Sequence, residues 1–332
     1  MKIYSQSGCL SNIDQIPDES NGSFFICEIS ATAPDRYHYP GDHLKSDLDL
    51  ELVSLYDTFR DLLFPDIDLY YEQVGKLPNF VQTCGLDSDC SMSATEFEQA
   101  LQEFLKSSDN ARHLYLVDCQ FLVGTVQNLL ASMHQEFIRY YTLLPECTVI
   151  PNRLRSVENK TVAIMSETSL SAAATLESYF TKAYSILDMV TKITYEIESL
   201  PTCISTYAKL ASRDILWSEQ KKLSIHDKVG TIFEKSELVN IVFALRNEAV
   251  HNGSWELNPK IFLRIEDHEV VERFMLFPDI KNGYLVKFKN RCHFFSNGTK
   301  INEELPNIHL AFQQTVLKTL LEVQQLAASK MN

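Results

Sequence analysis

The sequence predicts a mainly α protein, and three patterns along its 332 residues support that prediction. Apolar residues recur at helical spacing over long segments, most clearly at residues 168–200 and 304–329. Strand-like composition is confined to a short run before residue 30 and to an insert at about 260–297. Two proline residues, Pro145 and Pro201, stand where long helical patterns stop.

The individual elements follow from local signals taken in chain order. Helical periodicity and capping residues predict helices at 47–64, 93–106, 114–144, 168–200, 203–216, 236–250 and 304–329. Runs of β-branched and aromatic residues predict strands at 24–29, 260–265, 270–277, 284–289 and 292–296. Residues 33–43 are expected to form turns, and Lys289-Asn290-Arg291 is expected to close a hairpin. The sum is a helical bundle with a small antiparallel β insert.

Negative charge is concentrated at the N-terminal end of the chain. Residues 1–110 hold 6 Lys and Arg against 20 Asp and Glu, whereas residues 111–332 hold 24 of each sign. This shift predicts an acidic, mostly helical N-terminal region over 1–110 and the helical bundle over 111–332. An acidic surface repels nucleic acid, so the charge of the first region disfavours nucleic-acid binding there. The second region is neutral overall and can still carry a local basic site.

Several classes of protein are disfavoured by patterns that the sequence lacks. No stretch approaches about 18 uninterrupted apolar residues, so a membrane-spanning helix is not expected. Residues 1–6 lack the apolar core of a secretory signal. The 8 cysteines lack the short paired spacings of zinc sites, so we expect free thiols in the cytoplasm and no metal. Common nucleotide hydrolases, zinc peptidases and serine hydrolases are disfavoured because their motifs are missing.

One polar segment at the end of an otherwise apolar helix stands out. Residues 245–254 place Arg246, Asn247 and His251 just before the helix-ending pair Asn252-Gly253. Taken alone, these residues are also typical of a helix C-terminus, where a cationic His compensates the helix dipole. The alternative is a functional site, because Arg and His together suit phosphate chemistry.

The spacing Arg246-Asn247-x-x-x-His251 resembles the R-x4-6-H motif of the HEPN superfamily (higher eukaryotes and prokaryotes nucleotide-binding domain), in which a polar residue commonly follows the Arg. The helix from Leu170 to Asp188 also resembles a HEPN bundle helix, and the resemblance covers roughly residues 165–255. It implies a four- or five-helix bundle, often dimeric, without a cofactor. Many members are metal-independent ribonucleases of prokaryotic toxin–antitoxin, abortive-infection or other antiviral systems, and others are non-catalytic binding modules. The family's functional positions fall on Arg246, Asn247 and His251.

The residue types suit RNA cleavage without a metal. Such cleavage needs a base for the 2′-OH and an acid for the leaving 5′-oxygen, and a free imidazole titrates near neutral pH. The guanidinium of Arg246 offers a bidentate partner for the charge that develops on the phosphoryl oxygens. Asn247 is a candidate for orienting His251 or the substrate, although it is also a common polar surface residue.

Helix geometry adds a constraint on this site. Five residues at about 100° each place His251 about 140° away from Arg246 on a straight helix. The two side chains are therefore expected to meet only if the last turn loosens or if two chains contribute. One His cannot easily serve as acid and base in a single step, so a two-fold homodimer with paired motifs is expected.

Other polar residues are weaker candidates. We expect His113 and His134 to be structural, and His226-Asp227 to lie in the loop before the motif helix. Glu177, Tyr184 and Asp188 lie at helical spacing and are candidates for lining the site, although contacts within the bundle are the simpler interpretation. Lys287, Lys289 and Arg291 are candidates for contacting phosphate, although a solvated strand face is the simpler interpretation.

The leading hypothesis is a metal-independent endoribonuclease of a prokaryotic defence or toxin–antitoxin system, with RNA or a nucleotide as its ligand. The expected partners are a second copy of the chain and an antitoxin or other protein, and no association with a membrane is expected. The alternative is a non-catalytic HEPN-like module that binds a nucleotide or a protein. The net charge of −14 favours that alternative, because it opposes binding of long RNA.

Overall fold

The computed structural model describes residues 2–13, 15, 17–18, 24–30, 33–148, 159–201, 204–219, 223–225 and 228–331. The chain is 55% helical, with eight α-helices and small antiparallel sheets among the described residues. The prediction of a mainly α protein is therefore confirmed.

The helices follow the predicted periodicity in most cases. They are α1 (His43–Leu63), α2 (Ile67–Val74), α3 (Phe80–Thr83), α4 (Ala94–Phe104), α5 (Ser108–Leu143), α6 (Glu167–Glu198), α7 (Glu237–Asn252) and α8 (Ile301–Met331). Ser93 caps α4 in a reciprocal capping box with Glu96, as the local sequence predicts. After α5 ends, Pro145 lies in a short 3-10 turn, Leu144–Glu146, because proline cannot continue the α-helical hydrogen bonds.

The described strands form three antiparallel sheets. They are β1 (Lys2–Ser5), β2 (Leu10–Asn12), β3 (Phe25–Ser30), β4 (Ala33–His38), β5 (Lys160–Ile164), β6 (Ile261–Glu266), β7 (Glu269–Phe274), β8 (Ile280–Lys281) and β9 (Tyr284–Leu285). The strand orders are β2-β1-β3-β4, β5-β6-β7 and β8-β9. In the second sheet, Phe262 pairs with Phe274 and their rings stack with centroids 5.4 Å apart.

Packing divides the chain into two compact units that interleave along the sequence. The first unit contains Met1–Ser46, Leu129–Ser185 and Ile232–Thr315. The second unit contains the remaining segments, Asp47–Asn128, Ile186–Thr231 and Val316–Asn332. All three sheets and α7 belong to the first unit and α2 to α4 to the second, whereas α1 begins in the first unit and continues in the second after Ser46. The sequence division at residue 110 follows charge rather than packing, and it stays a prediction.

Two expected elements outside the β insert are wrong. Residues 33–43 were expected to form turns, but Ala33–His38 is a strand that pairs with β3. β4 is the last strand in the order β2-β1-β3-β4, and a proline in the sequence is tolerated in such an edge strand. A helix was expected at 203–216, but the described residues 204–216 contain no helix, and turns are confined to residues 211–214. There the buried carboxylate of Glu196 accepts hydrogen bonds from both the backbone N–H and the hydroxyl of Ser212, which replaces the helical bonding pattern.

The β insert is shorter than expected. Of residues 284–289 only Tyr284–Leu285 is a strand, and residues 292–296 form none. Residues 292–296 form no strand because the carboxylate of Asp279 accepts hydrogen bonds from the backbone N–H groups of Ser296 and Asn297 and holds this segment in a loop. A tight turn does form at the expected place, where Phe288 and Arg291 exchange two backbone hydrogen bonds, but the two strands that it was expected to join do not form on either side of it.

The core of the first unit contains an unusual aromatic and histidine cluster. His309 is 1% exposed and stacks on Phe137, with ring centroids 4.1 Å apart and planes 9° apart. Its Nε2 lies 3.3 Å from the hydroxyl of Tyr39, and its Nδ1 lies 3.1 Å from the hydroxyl of Tyr179. Burial holds the pKa of His309 well below its usual value, so the ring is neutral and one hydroxyl donates while the other accepts.

His134 makes the stability of the protein depend on pH. Burial, and secondarily the charge of Lys45, lower the pKa of His134 to about 4, while its Nδ1 lies 3.0 Å from the Tyr39 hydroxyl. As the pH falls from about 6.5 towards 4, the unfolded chain gains a proton that the folded protein does not, so the free energy of unfolding falls. We expect His134 to account for about 2 kcal/mol of loss between pH 7.5 and 5.0.

Urea unfolding of the wild type and of His134→Asn at these two pH values measures this contribution. Asn keeps a hydrogen-bonding group near Tyr39 but cannot titrate, so the loss on acidification should be smaller in the variant. An equal loss in both proteins would contradict the assignment of this pH dependence to His134.

One helical stretch among the described residues, Asp109–Glu146, is long and apolar enough to cross a membrane by length and composition. The core helix of a soluble protein meets the same criterion, and this stretch buries polar groups near its beginning. His113 is 1% exposed with its Nε2 3.1 Å from Gln73 Oε1, and Tyr115 donates a hydrogen bond to Glu196. His113 therefore has the structural role expected of it. The expectation that no helix of this protein spans a membrane stays a prediction.

Candidate functional site

The motif residues lie on α7, whose two ends are defined by capping groups. The hydroxyl of Ser236 accepts a hydrogen bond from the backbone N–H of Val239, and Gly253 follows the last turn with φ of 83°. The apolar face of the helix is buried through Val239, Val242 and Leu245. The face that carries the motif is therefore turned towards solvent at the C-terminal end of the helix.

Arg246 and His251 meet within a single chain. Arg246 Nη1 lies 3.4 Å from His251 Nε2 and donates a hydrogen bond of 2.9 Å to Asn247 Oδ1. The expectation that the two side chains meet only if the last turn loosens or if two chains contribute is wrong, since the helix continues to Asn252 and the contact forms within one chain. The separation of about 140° describes directions from the helix axis, whereas the long Arg side chain crosses the angle between the two positions.

The guanidinium group of Arg246 lies over the buried ring of Tyr184. Tyr184 lies on α6, is 5% exposed, and has its ring centroid 4.6 Å from Arg246 Cζ. This is a cation–π contact, which restricts the guanidinium plane without using its N–H donors. The candidate role of Tyr184 in lining the motif is thus consistent with its position.

The other two candidates on α6 are placed differently. Glu177 is half-buried, and burial raises its pKa although a hydrogen bond with Ser254, just after α7, lowers it in part. Asp188 belongs to the second unit, where its carboxylate accepts a hydrogen bond of 2.6 Å from the backbone N–H of Trp217. Glu177 therefore remains near the end of the motif helix, and Asp188 has a structural contact.

Exposure of the three motif residues decides what can reach them. His251 is exposed, and Arg246 and Asn247 are half-buried. None of the three is enclosed in the core, although the helix that carries them is packed along its opposite face. A ligand from solution can therefore contact the imidazole and the remaining guanidinium donors.

A second cluster surrounds Glu248, which lies between the motif residues on α7. Glu248 is 5% exposed, and its Oε2 accepts a hydrogen bond of 2.7 Å from Asn252 and lies 3.0 Å from His293 Nε2. Burial alone would raise the pKa of Glu248, but the hydrogen bonds with Asn252 and His293 outweigh it and lower the pKa. Cys292 Sγ lies 3.3 Å from His293 Nε2 and 3.8 Å from Glu248 Oε2.

Sequence reasoning missed this second cluster. Glu248 and Cys292 are 44 residues apart, and Cys292 and His293 are neighbours rather than members of a spaced pair. Burial, followed by the negative charge of Glu248, raises the pKa of the Cys292 thiol, so it is protonated near neutral pH. The only signal in the sequence is the placement of a carboxylate within an otherwise apolar helix.

The β insert reaches α7 through Gly283, in the turn between β8 and β9. Gly283 has φ of 79°, and a Cβ atom there would lie 2.5 Å from Asn240 Cβ and 2.6 Å from the carbonyl oxygen of Glu237. Only glycine allows this approach to the first turn of α7. The insert is thus packed against the helix that carries the motif.

The turn at residues 287–291, here called the basic turn, lies beyond β9. Lys287, Lys289 and Arg291 are exposed, and Phe288 is 62% exposed with its ring centroid 5.4 Å from Lys289 Nζ. Lys287 is close enough to Glu248 to help lower the pKa of that carboxyl. The basic turn and the motif helix therefore share one neighbourhood in the first unit.

The remaining histidine candidates and the cysteines outside the second cluster add little to the site. His134 belongs to the buried cluster of the first unit, as expected of a structural histidine. His226-Asp227 and Cys203 lie outside the described residues. The seven described cysteines are free, which agrees with the expectation of free thiols.

In comparisons with known proteins, no family model, no curated protein and no solved structure matches this chain. The resemblance to the HEPN superfamily therefore depends on the Arg246–His251 motif and on the helices that hold it.

Proposed function

We propose that this protein is a metal-independent endoribonuclease with a HEPN-like bundle, acting in the cytoplasm in a prokaryotic defence or toxin–antitoxin system. The observation that supports this most directly is the guanidinium–imidazole pair at the solvent-facing end of α7, with Arg246 Nη1 3.4 Å from His251 Nε2. An Arg and a His at this separation can contact the same phosphate group from two sides.

The proposed reaction needs a base, an acid and a group that stabilises negative charge. A His251 imidazole takes the proton of the 2′-OH, and the resulting oxygen attacks the adjacent phosphorus. The bond from phosphorus to the 5′-oxygen breaks, and that oxygen receives a proton from the His251 of a second, two-fold related copy. Arg246 donates hydrogen bonds to the non-bridging oxygens, where negative charge increases in the transition state. The products are a 2′,3′-cyclic phosphate and a 5′-hydroxyl.

Asn247 contacts Arg246 directly. Its Oδ1 accepts a hydrogen bond from Arg246, which supports a role in positioning the guanidinium group, and the expectation that Asn247 orients His251 or the substrate stays a prediction. The Asn247 side chain and the Tyr184 ring together restrict the orientation of the Arg246 guanidinium group. We therefore regard Asn247 and Tyr184 as positioning residues for Arg246.

The basic turn supports RNA as the ligand. Its three exposed cations offer contacts to phosphates, and the exposed ring of Phe288 offers a surface on which a base can stack. This local positive charge can attract RNA although the chain as a whole is acidic. Single-stranded RNA suits such a surface better than a duplex, because its bases are free to stack.

The need for two histidines predicts a homodimer at micromolar concentration, which sedimentation analysis measures directly. A strictly monomeric protein that still cleaves RNA would contradict the two-copy mechanism. An antitoxin or another protein partner is expected to cover the site when cleavage would be harmful.

Cleavage of total RNA in buffer without added divalent cations tests the proposal. The wild type should cleave, and Arg246→Ala should reduce the rate by about 100-fold, because the transition-state charge loses its bidentate donor. Arg139→Ala is the matched control, since Arg139 is an exposed Arg of α5 in the same unit and should have no effect. Equal rates for Arg246→Ala and the wild type would exclude this site.

A non-catalytic HEPN-like binding module remains the second candidate, and the net charge of −14 favours it. The two functions differ in their effect on a host cell. Growth arrest on expression, relieved by a substitution at the motif, supports the nuclease. Harmless expression together with RNA that stays intact supports the binding module.

A further inference from the structure

We propose that Glu248, Cys292 and His293 form a zinc-binding site that fastens the segment after the basic turn to the motif helix. This site goes beyond the proposed nuclease activity and does not depend on it. The three donor atoms come from two parts of the chain and lie within 4.8 Å of one another.

The distances between the donor atoms are close to those of a tetrahedral zinc centre. Glu248 Oε2 and His293 Nε2 are 3.0 Å apart, His293 Nε2 and Cys292 Sγ are 3.3 Å apart, and Cys292 Sγ and Glu248 Oε2 are 3.8 Å apart. Zinc bonds of about 2.0 Å to N and O and about 2.3 Å to S place tetrahedral ligands roughly 3.4–3.6 Å apart. Shifts of a few tenths of an ångström therefore suffice to accommodate the ion.

The donor set also selects the type of metal. A thiolate, an imidazole and a carboxylate are the three ligand types that zinc takes in proteins, whereas Mg²⁺ and Ca²⁺ prefer oxygen alone. On binding, Cys292 releases its proton to solvent, and the thiolate and the Glu248 carboxylate together balance the two positive charges of the ion. Three protein donors leave the fourth position to water.

The surroundings of Glu248 are those of an oriented ligand. The Asn252 side chain donates a hydrogen bond of 2.7 Å to Glu248 Oε2, which fixes the carboxylate on α7. On the other side, the two backbone hydrogen bonds between Phe288 and Arg291 hold the chain immediately before Cys292. The charge of Lys287 opposes a cation here, but its side chain is exposed and can turn away into solvent.

The competing interpretation is an ion pair between Glu248 and a protonated His293, with Cys292 as a bystander. The two interpretations differ in the role of the thiol. A zinc site needs the sulfur as a ligand, whereas an ion pair does not.

The test uses the full chain with Co²⁺ as a spectroscopic substitute for Zn²⁺, and measured zinc content as the second readout. We expect one metal per chain and a near-ultraviolet thiolate-to-cobalt charge-transfer band in the wild type. Cys292→Ser should abolish the band and lower zinc affinity roughly tenfold or more, and His293→Ala should lower the affinity similarly. Cys9→Ser is the matched control, because Cys9 is also a half-buried free thiol of the first unit and should leave both readouts unchanged.

Absence of the charge-transfer band in the wild type, or the same band in Cys292→Ser, would overturn the proposal. If Cys292→Ser does not fold, as judged by circular dichroism, the wild-type band and the affinity of Glu248→Gln decide the matter. Neither readout involves RNA, so a negative result here leaves the nuclease proposal in place, and an inactive wild type leaves the zinc site in place.

Discussion

Replacing His251 with alanine should lower the rate of RNA cleavage by about 1000-fold while leaving the free energy of unfolding nearly unchanged. A general acid or base contributes roughly 10²–10⁴-fold to such a rate, and the proposed reaction uses His251 in both roles across the two copies. The stability should hold because the His251 side chain is exposed and its polar contact with Arg246 is a long one of 3.4 Å.

The matched control for this experiment is His43→Ala. His43 is also an exposed histidine of the first unit, at the beginning of α1, and it is far in sequence from the motif. Cleavage of a defined RNA by each variant, together with thermal unfolding, separates a chemical effect from a folding effect. Full activity in His251→Ala would exclude this imidazole from the reaction.

Gly283→Ala should lower the free energy of unfolding by about 3 kcal/mol. A non-glycine residue with positive φ costs about 1 kcal/mol, and Gly283 has φ of 79°. The added Cβ would also lie 2.6 Å from the carbonyl oxygen of Glu237, and such overpacking costs roughly 1–3 kcal/mol more. The β8–β9 turn must move away from α7 to relieve the contact.

Gly298→Ala separates the two contributions. Gly298 has φ of 65°, and a Cβ atom there would have no other atom within 4 Å, so only the backbone term applies. We expect a loss of about 1 kcal/mol for this variant in urea unfolding. Equal losses for the two variants would show that Gly283 is not in close contact with the first turn of α7.

The six longer helices could be predicted because their signals are local, whereas the short helices α2 and α3 were not predicted. The Ser93-Ala94-Thr95-Glu96 sequence forms the capping box of α4, and Asn252-Gly253 marks the end of α7, where Gly253 adopts the positive φ that favours glycine. In each case the residues that decide the boundary lie within one helical turn of it. Periodic apolar residues supply the remainder of the signal.

Two of the errors in the fold arise where the carboxylate of a distant side chain accepts hydrogen bonds from the backbone. Glu196 accepts the N–H of Ser212 where a helix was expected, and Asp279 accepts the N–H groups of Ser296 and Asn297 where a strand was expected. Each acceptor is more than ten residues from its donor. Sequence windows do not contain both partners, so the periodicity alone gives the wrong element.

The candidate site likewise contains residues that the sequence could indicate and contacts that it could not. Arg246, Asn247 and His251 lie within six residues and could be proposed from their spacing, although their mutual contact depends on the reach of the Arg side chain. The contact of Tyr184 with Arg246, and the meeting of Glu248 with Cys292 and His293, depend on packing between separate elements. The sequence does not encode these contacts in any local pattern.

The end groups of the cleaved RNA test the proposed chemistry most directly. Attack by a 2′-oxygen, with His251 and Arg246 acting on the phosphate, produces 2′,3′-cyclic phosphate and 5′-hydroxyl termini, and an oligonucleotide with a 2′-deoxy residue at the cleaved position should stay intact. Products that end in 3′-hydroxyl and 5′-phosphate, or cleavage of the deoxy substrate, would contradict this account.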